Sequence, residues 1–298
     1  MKFTFNEEIA GALHFDRPIV ALESTVISHG LPQPRNLDTA VTLEQIVRDA
    51  GAMPATIAMF GGEIFVGLSR EQLEFLATDG DIRKLSVRDL AIAAAMKQNG
   101  ATTVATTSLI AHRAGINVFA TGGIGGVHRG YAADVSADLA ELARTPIIVV
   151  CSGAKAILDL PATREWLETN GIAVLGWKCD KMPAFYSASS DLEVDQRVDS
   201  PEEISRIADA RKDFGLTAAI LVTVPVPAEH EIDSAEVEAL IRAALSEADT
   251  RGVTGKQLTP FLLGELAQRS GGKTLAANVA LLENNARVAA EIAKSLNF

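Results

Sequence analysis

Short apolar runs rich in β-branched residues recur along the chain at intervals filled by helix-like patterns, and this alternation restricts the fold more than any other feature. Residues 18–22, 55–60, 117–121, 146–151, 172–175 and 218–224 each read as a buried strand. Helical patterns occupy 36–50, 69–78, 87–98, a stretch ending at Ala114, 136–144, 154–170 and 202–214, and three more follow at 234–250, 259–269 and 275–296. In the first of these, Asn36 is the expected cap, with Leu37, Val41, Leu43, Ile46 and Val47 as the apolar stripe. Gly61 and Gly62 between 55–60 and 63–66 predict a hairpin, 102–105 a further strand, and 1–17 an arm or short helix. The segment 183–199 keeps neither period and is expected to be a surface loop or an edge strand. The rhythm predicts an α/β protein, three-layer α/β/α with a large, mainly parallel mixed sheet. No shift in composition marks a linker, so 1–298 is expected to be one domain.

Composition removes several classes of function. A formal net charge of −11 opposes attraction to a nucleic-acid backbone, so no polynucleotide partner is expected. Cys151 and Cys179 are the only cysteines, too few for a disulfide framework in a chain of 298 residues, which predicts a reducing, cytoplasmic setting. The N-terminal residues lack the basic start and apolar run of a signal peptide, and no segment approaches the ~18 uninterrupted apolar residues of a membrane span.

Candidate chemistry gathers after strand ends. The run at 118–121 is followed by Gly122, Gly123, Gly125 and Gly126, then His128 and Arg129. Glycines there let backbone N–H groups close on an anion such as a phosphate. The spacing is not that of a dinucleotide-binding loop, because counting from Gly123 the last glycine position is His128 and no helix starts at once. Gly272, Lys273 and Thr274 echo the end of a Walker loop, but the leading glycine position is Ala267.

Glu23 sits where the first strand ends, a place where ligands collect in open α/β sheets, although a glutamate there can equally serve an ion pair. Arg83, Lys84 and Arg88 form a basic cluster in an acidic chain, readable as a solvated face or as an anion site. Asp134 and Asp138 can cap a helix start, or Asp134 can hold a hard divalent cation whose remaining ligands are water and substrate oxygens. Of the five histidines, His29 and His128 lie in loops that can converge, with no zinc spacing. Lys155 stands at a predicted strand-to-helix junction, where an amine shielded from water can attack a sugar carbonyl; it can equally swing to solvent or grip a phosphate.

Taken together, the stretches 20–25 with 28–30, 54–58, Lys84 with 88–90, 100–104, 119–130, 136–139, 150–160, Gly255 with Lys256, and 259–263 resemble the pseudouridine-5′-phosphate glycosidases of the indigoidine synthase A-like group. The resemblance runs from near residue 18 to about residue 293. It implies that Glu23 is the proton donor and Lys155 the covalent nucleophile, with Lys84, Val104, Ser136, Ala137, Asp138 and Asn278 at the substrate and Asp134 on a manganese ion. His128 is a further substrate candidate. It also implies an α/β/α fold, a homotrimer, and reversible cleavage of the C–C glycosidic bond of pseudouridine 5′-phosphate to uracil and ribose 5-phosphate through a lysine Schiff base. A phosphosugar-binding regulator without turnover is opposed by the presence of both Glu23 and Lys155. A sugar kinase is opposed by the failed Walker pattern. Release of free uracil separates the three.

Overall fold

The computed structural model describes residues 3–130, 133–253, 255 and 258–296. Eleven strands are found among them: β1 (Phe3–Phe5), β2 (Ile19–Leu22), β3 (Met53–Phe60), β4 (Glu63–Val66), β5 (Arg83–Leu85), β6 (Gly100–Thr102), β7 (Val118–Ala120), β8 (Ile148–Cys151), β9 (Ala173–Trp177), β10 (Gln196–Val198) and β11 (Ile220–Thr223). They form one sheet in the order β1-β4-β3-β2-β7-β8-β11-β9-β10, with β6 joining β5 to β3. All pairings are parallel except β3 with β4 and β3 with β6, so the sheet is mixed and mainly parallel as the alternation predicts.

The helices are α1 (Glu7–His14), α2 (Arg35–Asp49), α3 (Arg70–Thr78), α4 (Leu90–Ala95), α5 (Val104–Arg113), α6 (Ala137–Leu142), α7 (Leu160–Thr169), α8 (Pro201–Asp213), α9 (Ser234–Thr250), α10 (Leu258–Arg269) and α11 (Lys273–Ser295). They cover both faces of the sheet. The 23-residue α11 packs with α2 and α8 over β2, β7 and β8, while α5, backed by α6, packs on β2, β3 and β7. Burial on both faces is why the strands read as continuous apolar runs: all four residues of β2, β8 and β11 are buried. No helix of the described residues is long and apolar enough to cross a membrane.

The sheet is arranged so that β2 ends at an opening. Its pairing with β3 stops at Leu22 opposite Thr56, and β6 then takes the place beside β3 at Ala58 and Met59. Between the two spans, the Ile57 carbonyl accepts hydroxyl hydrogen bonds from Ser24 (2.6 Å) and Thr102 (2.8 Å) instead of a strand N–H. The chain leaves β2 toward β3 on one side and later returns on the other as β7. The end of β2 is thus a switch point, where such sheets open a crevice.

Several local expectations are corrected. Residues 102–105 do not form a strand: β6 ends at Thr102, and Thr103 caps α5 by accepting from Thr106 N–H. The β-branched residues that suggested a strand lie across a cap and the first turn of a helix. Asn36 lies inside α2 instead of capping it, and its buried amide donates to the carbonyls of Ile27 (2.9 Å) and Ala77 (3.0 Å). The helix expected from 154 begins only at Leu160, capped by Asp159 and followed by Pro161. Phe3–Phe5 is an edge strand beside β4, and only the next stretch is the short helix. The segment 183–199 ends in the edge strand β10, but its first part is core, with Phe185 and Tyr186 each 2% exposed.

The Gly61–Gly62 hairpin is confirmed, with Phe60 opposite Glu63 and both glycines at positive φ (+56° and +84°). A Cβ on Gly62 would stand 2.5 Å from the Ala94 carbonyl oxygen, whereas one on Gly61 meets nothing within 4 Å. Gly61→Ala should therefore cost about 1 kcal/mol for its backbone conformation alone. Gly62→Ala should cost more, about 2–3 kcal/mol, because strain and clash add. Urea unfolding of the two variants measures the difference.

Candidate active site

The cavity that opens beyond β2, β7 and β8 has a volume of about 610 Å³. Its wall includes Glu23, Lys84, Val104, His128, Asp134, Ser136, Ala137, Asp138, Lys155 and Asn278, so every site residue expected from the sequence meets in one place. Lys256 lies outside the described residues.

Glu23 is delivered by the end of β2, and Thr121, one residue past β7, donates its hydroxyl to Glu23 Oε1 at 2.5 Å. Burial holds the carboxyl above its ordinary value of 4.5, against the opposing pull of Lys155, the Thr121 hydroxyl and Lys84; Asp138 adds to the rise. A carboxyl so placed keeps its proton at a higher pH than an exposed glutamate, which suits an acid.

Lys155 arrives differently from expectation. It lies in an irregular loop between β8 and α7, so no helix N-terminus acts on it. The parallel pairing of β7 with β8 continues past the sheet: Thr121 N–H reaches Val150 O, Ser152 N–H reaches Gly122 O, Ile124 N–H reaches Gly153 O, and Lys155 N–H reaches Ile124 O. This seam carries the lysine into the cavity, where Nζ donates to Gly123 O at 2.9 Å. The side chain is held inside and does not swing to solvent.

The glycine run is a packing junction, and four N–H groups in and after it are taken by other parts of the chain. The N–H groups of Ile124, Gly125, Val127 and His128 are already bonded to Gly153 O, Asp138 Oδ2, Thr163 Oγ1 and Asp134 O. A Cβ on Gly123 would lie 2.7 Å from the Phe185 ring, and one on Gly125 2.2 Å from Ser136 Oγ. Glycine is needed because other parts of the chain come so close.

Asp138 binds two neighbours at once, accepting from Ala105 N–H through Oδ1 and from Gly125 N–H through Oδ2, both at 2.9 Å. Ser136, not an aspartate, is the cap of α6. Asp134 is exposed on the cavity wall. Arg129 is turned away: it grips Glu238 at 2.8 Å and the carbonyls of Leu158 and Ala156. His29 and His128 do converge on the cavity, joined by Arg88, Arg144 and Phe185.

Sequence reasoning missed Asn285, which is fully buried on α11, two turns beyond Asn278. Its Nδ2 donates to Thr121 O at 2.8 Å and lies 3.2 Å from Ser152 Oγ, clamping the ends of β7 and β8 on which Glu23's partner and Lys155 depend. An asparagine within the apolar stripe of a long helix was the available signal. Cys151, the last residue of β8, is fully buried, and burial pushes its thiol up to about 12.

The raised Glu23 sets a sign for stability. The folded protein holds this proton more tightly than the unfolded chain, so the group's contribution is full below pH 4.5 and is lost as pH rises through its folded value. Glu23→Gln has no such loss. Relative to the wild type, the variant should gain stability as pH rises above 4.5, read as a growing difference in urea midpoints.

The whole chain has known relatives. Residues 8–295 match the family model described as indigoidine synthase A like protein. Proteins named pseudouridine-5′-phosphate glycosidase are 52% identical in Caldanaerobacter subterraneus subsp. tengcongensis, over 98% of this chain and 96% of theirs, and 52% identical in Geobacillus kaustophilus, over 98% of both. Among solved structures, an indigoidine synthase A-like protein from Thermotoga maritima superimposes with a TM-score of 0.90 at 38% identity, covering 98% of this chain and 95% of that one. The prealnumycin C-glycosynthase AlnA, in complex with ribulose 5-phosphate, superimposes with a TM-score of 0.91 at 42% identity, covering 99% and 96%. The family match over 8–295, relatives half identical over their full length and the shared fold agree: the chain belongs to the indigoidine synthase A-like family.

Proposed function

We propose that the chain reversibly cleaves the C–C glycosidic bond of pseudouridine 5′-phosphate, giving uracil and ribose 5-phosphate, with Glu23 as acid and Lys155 as nucleophile. The observation that carries the reading is the pairing of a buried carboxyl, raised above the ordinary glutamate value, with a lysine amine fixed on Gly123 O in the same cavity. Relatives half identical over the full length carry the name of this activity, and the solved C-glycosynthase neighbour holds a pentose 5-phosphate.

The carbon leaving group explains the need for both residues. Uracil leaves only if its C5 takes a proton while the C1′–C5 electrons return to the ring, and C1′ must then be stabilised as a cation. In the proposed course the neutral Lys155 amine attacks C1′, the C1′–O4′ bond breaks, and O4′ takes the proton held by Glu23. The attacking nitrogen gives up a proton to the Glu23 carboxylate, its lone pair forms C1′=N as the C1′–C5 bond breaks, and C5 takes that proton from Glu23. Water adds to the iminium, and collapse of the adduct frees ribose 5-phosphate and Lys155. Burial keeps the Glu23 proton in place until O4′ needs it, and the Gly123 carbonyl aims the amine.

The phosphate is assigned to the end of the cavity lined by Lys84 and by Thr103 and Val104 at the start of α5, where the helix dipole favours an anion. No group of three His, Cys, Asp or Glu side chains able to hold a metal is found among the described residues. Asp134 on the cavity wall fits a manganese ion only as a single carboxylate beside waters and phosphate oxygens, and a bound ion would there neutralise phosphate charge. A homotrimer, tested by sedimentation, completes the reading.

Purified protein given pseudouridine 5′-phosphate and manganese should release free uracil; no release overturns the reading. Lys155→Ala should keep the fold and lose turnover by at least about 10³-fold, and borohydride with ribose 5-phosphate should label Lys155 in the wild type. Label on Lys84 would reverse the two lysines. Glu23→Gln should still bind ribose 5-phosphate while uracil release falls by about 10²-fold or more.

A further inference from the structure

Glu23 and the residue that touches its carboxyl both sit on backbone with little freedom. Beside Glu23, Ser24 donates its hydroxyl to Ile57 O at 2.6 Å and accepts from Thr102 N–H at 2.9 Å, while Thr25 Oγ1 donates to Thr102 O at 2.7 Å. Thr121, just past β7, is 2% exposed. Its N–H reaches Val150 O at 3.0 Å and its carbonyl accepts from Asn285 Nδ2 at 2.8 Å, so both of its main-chain groups are bonded. A β-branched side chain on so fixed a backbone has few rotamers. Its hydroxyl donates to Glu23 Oε1 at 2.5 Å, the short end for such bonds.

The two oxygens of the Glu23 carboxyl are therefore unlike. Oε1 is occupied by Thr121. Oε2 accepts no hydrogen bond among the described residues and is not sealed from solvent, and Glu23 lines the cavity.

We infer that Thr121 is the positioning residue of the acid: it holds Oε1 so that Oε2 alone carries the proton, and it steadies the carboxylate whenever that proton is away. This rests on the glycosidase reading of the cavity. In that course Glu23 gives its proton to O4′, takes one from the Lys155 nitrogen and passes that one to C5. Hydrolysis of the iminium leaves Lys155 protonated, and return of that proton to Glu23 restores the starting pair. Every transfer uses Oε2, so the carboxyl alternates between acid and anion without turning round. A hydroxyl bonds a carboxylate more strongly than a neutral carboxyl, so the Thr121 bond tightens as the proton leaves. Without it Glu23 is a poorer acid toward O4′ and C5.

Two variants of the full-length protein test this. Thr121→Val removes the hydroxyl at nearly constant shape, and Thr121→Ser keeps it. In Thr121→Val, uracil release at saturating pseudouridine 5′-phosphate should fall roughly ten- to a hundredfold, with ribose 5-phosphate affinity within about threefold of the wild type. Thr121→Ser should recover most of the loss. Infrared spectroscopy follows the carboxyl itself, through the protonated C=O band that Glu23→Gln lacks. In Thr121→Val this band should stand at higher frequency than in the wild type and persist to higher pH, because the carbonyl has lost its donor and the carboxylate its support. The charged groups that bear on Glu23 are Lys155, Asp138 and Lys84, and both variants keep them. A residue that merely filled space would move neither the band nor its titration. An unchanged band in Thr121→Val overturns the inference, as does undiminished turnover, or a Thr121→Ser as slow as Thr121→Val. A wild-type band at the frequency of a free carbonyl overturns it with no variant at Thr121. The two levels separate cleanly: a wild type that releases no uracil ends the glycosidase reading and the proton course with it, whereas a band indifferent to Thr121→Val in an active enzyme ends the role of Thr121 alone.

Discussion

Close approach of backbone to backbone is the constraint on which this site depends. The β7–β8 pairing does not stop where the sheet does; it runs on through Gly122, Ile124 and Lys155 as a seam of main-chain hydrogen bonds. Phe185 presses on the seam from one side and Ser136 with Asp138 from another, at distances that leave no space for a Cβ on Gly123 or Gly125. A lysine amine held on a main-chain carbonyl is fixed by an atom that cannot change rotamer. Precision at Lys155 is thereby a property of the sheet, transmitted past the end of β8 by the continued pairing.

Buried polar side chains supply the second set of constraints. Asn285 reaches from α11 to the ends of β7 and β8, and Asp138 joins the start of α5 to the glycine run. Each satisfies main-chain groups that leave regular pairing at the rim of the sheet, where water would otherwise do so. Water there would raise the local dielectric and weaken the interactions among Glu23, Lys155 and Lys84. The same residues that close the backbone's hydrogen bonds therefore keep the electrostatics of the cavity strong.

What could be read from the sequence follows from which forces are local. The apolar runs that became β2, β3, β7, β8 and β11 were legible because strands buried on both faces lose polar alternation, and Glu23 could be placed because it follows such a run directly. The hairpin at Gly61–Gly62 was legible because a two-residue turn needs its glycines. Lys155 was assigned to a helix that starts five residues later, since the alanine and leucine around it satisfy a helical pattern and only the pairing with Ile124 overrides it. Phe185 and Tyr186 were read as surface because their burial comes from Gly123 and Ile232, which are distant in sequence. Arg129 looked like an anion ligand until Glu238, 109 residues on, claimed it. Asn36 and Asp138 were legible as polar residues near helix starts, but their partners were not.

Cys151 ends the strand that delivers Lys155, yet its sulfur is sealed in the core and held as the thiol. Sulfur is ordinarily the softer and faster nucleophile, and a thiolate at this spot would compete for any electrophilic carbon entering the cavity. Cys151 also lies outside the cavity wall, so in the proposed reaction an aldehyde or an activated sugar meets nitrogen, and the bond it forms can be undone by water.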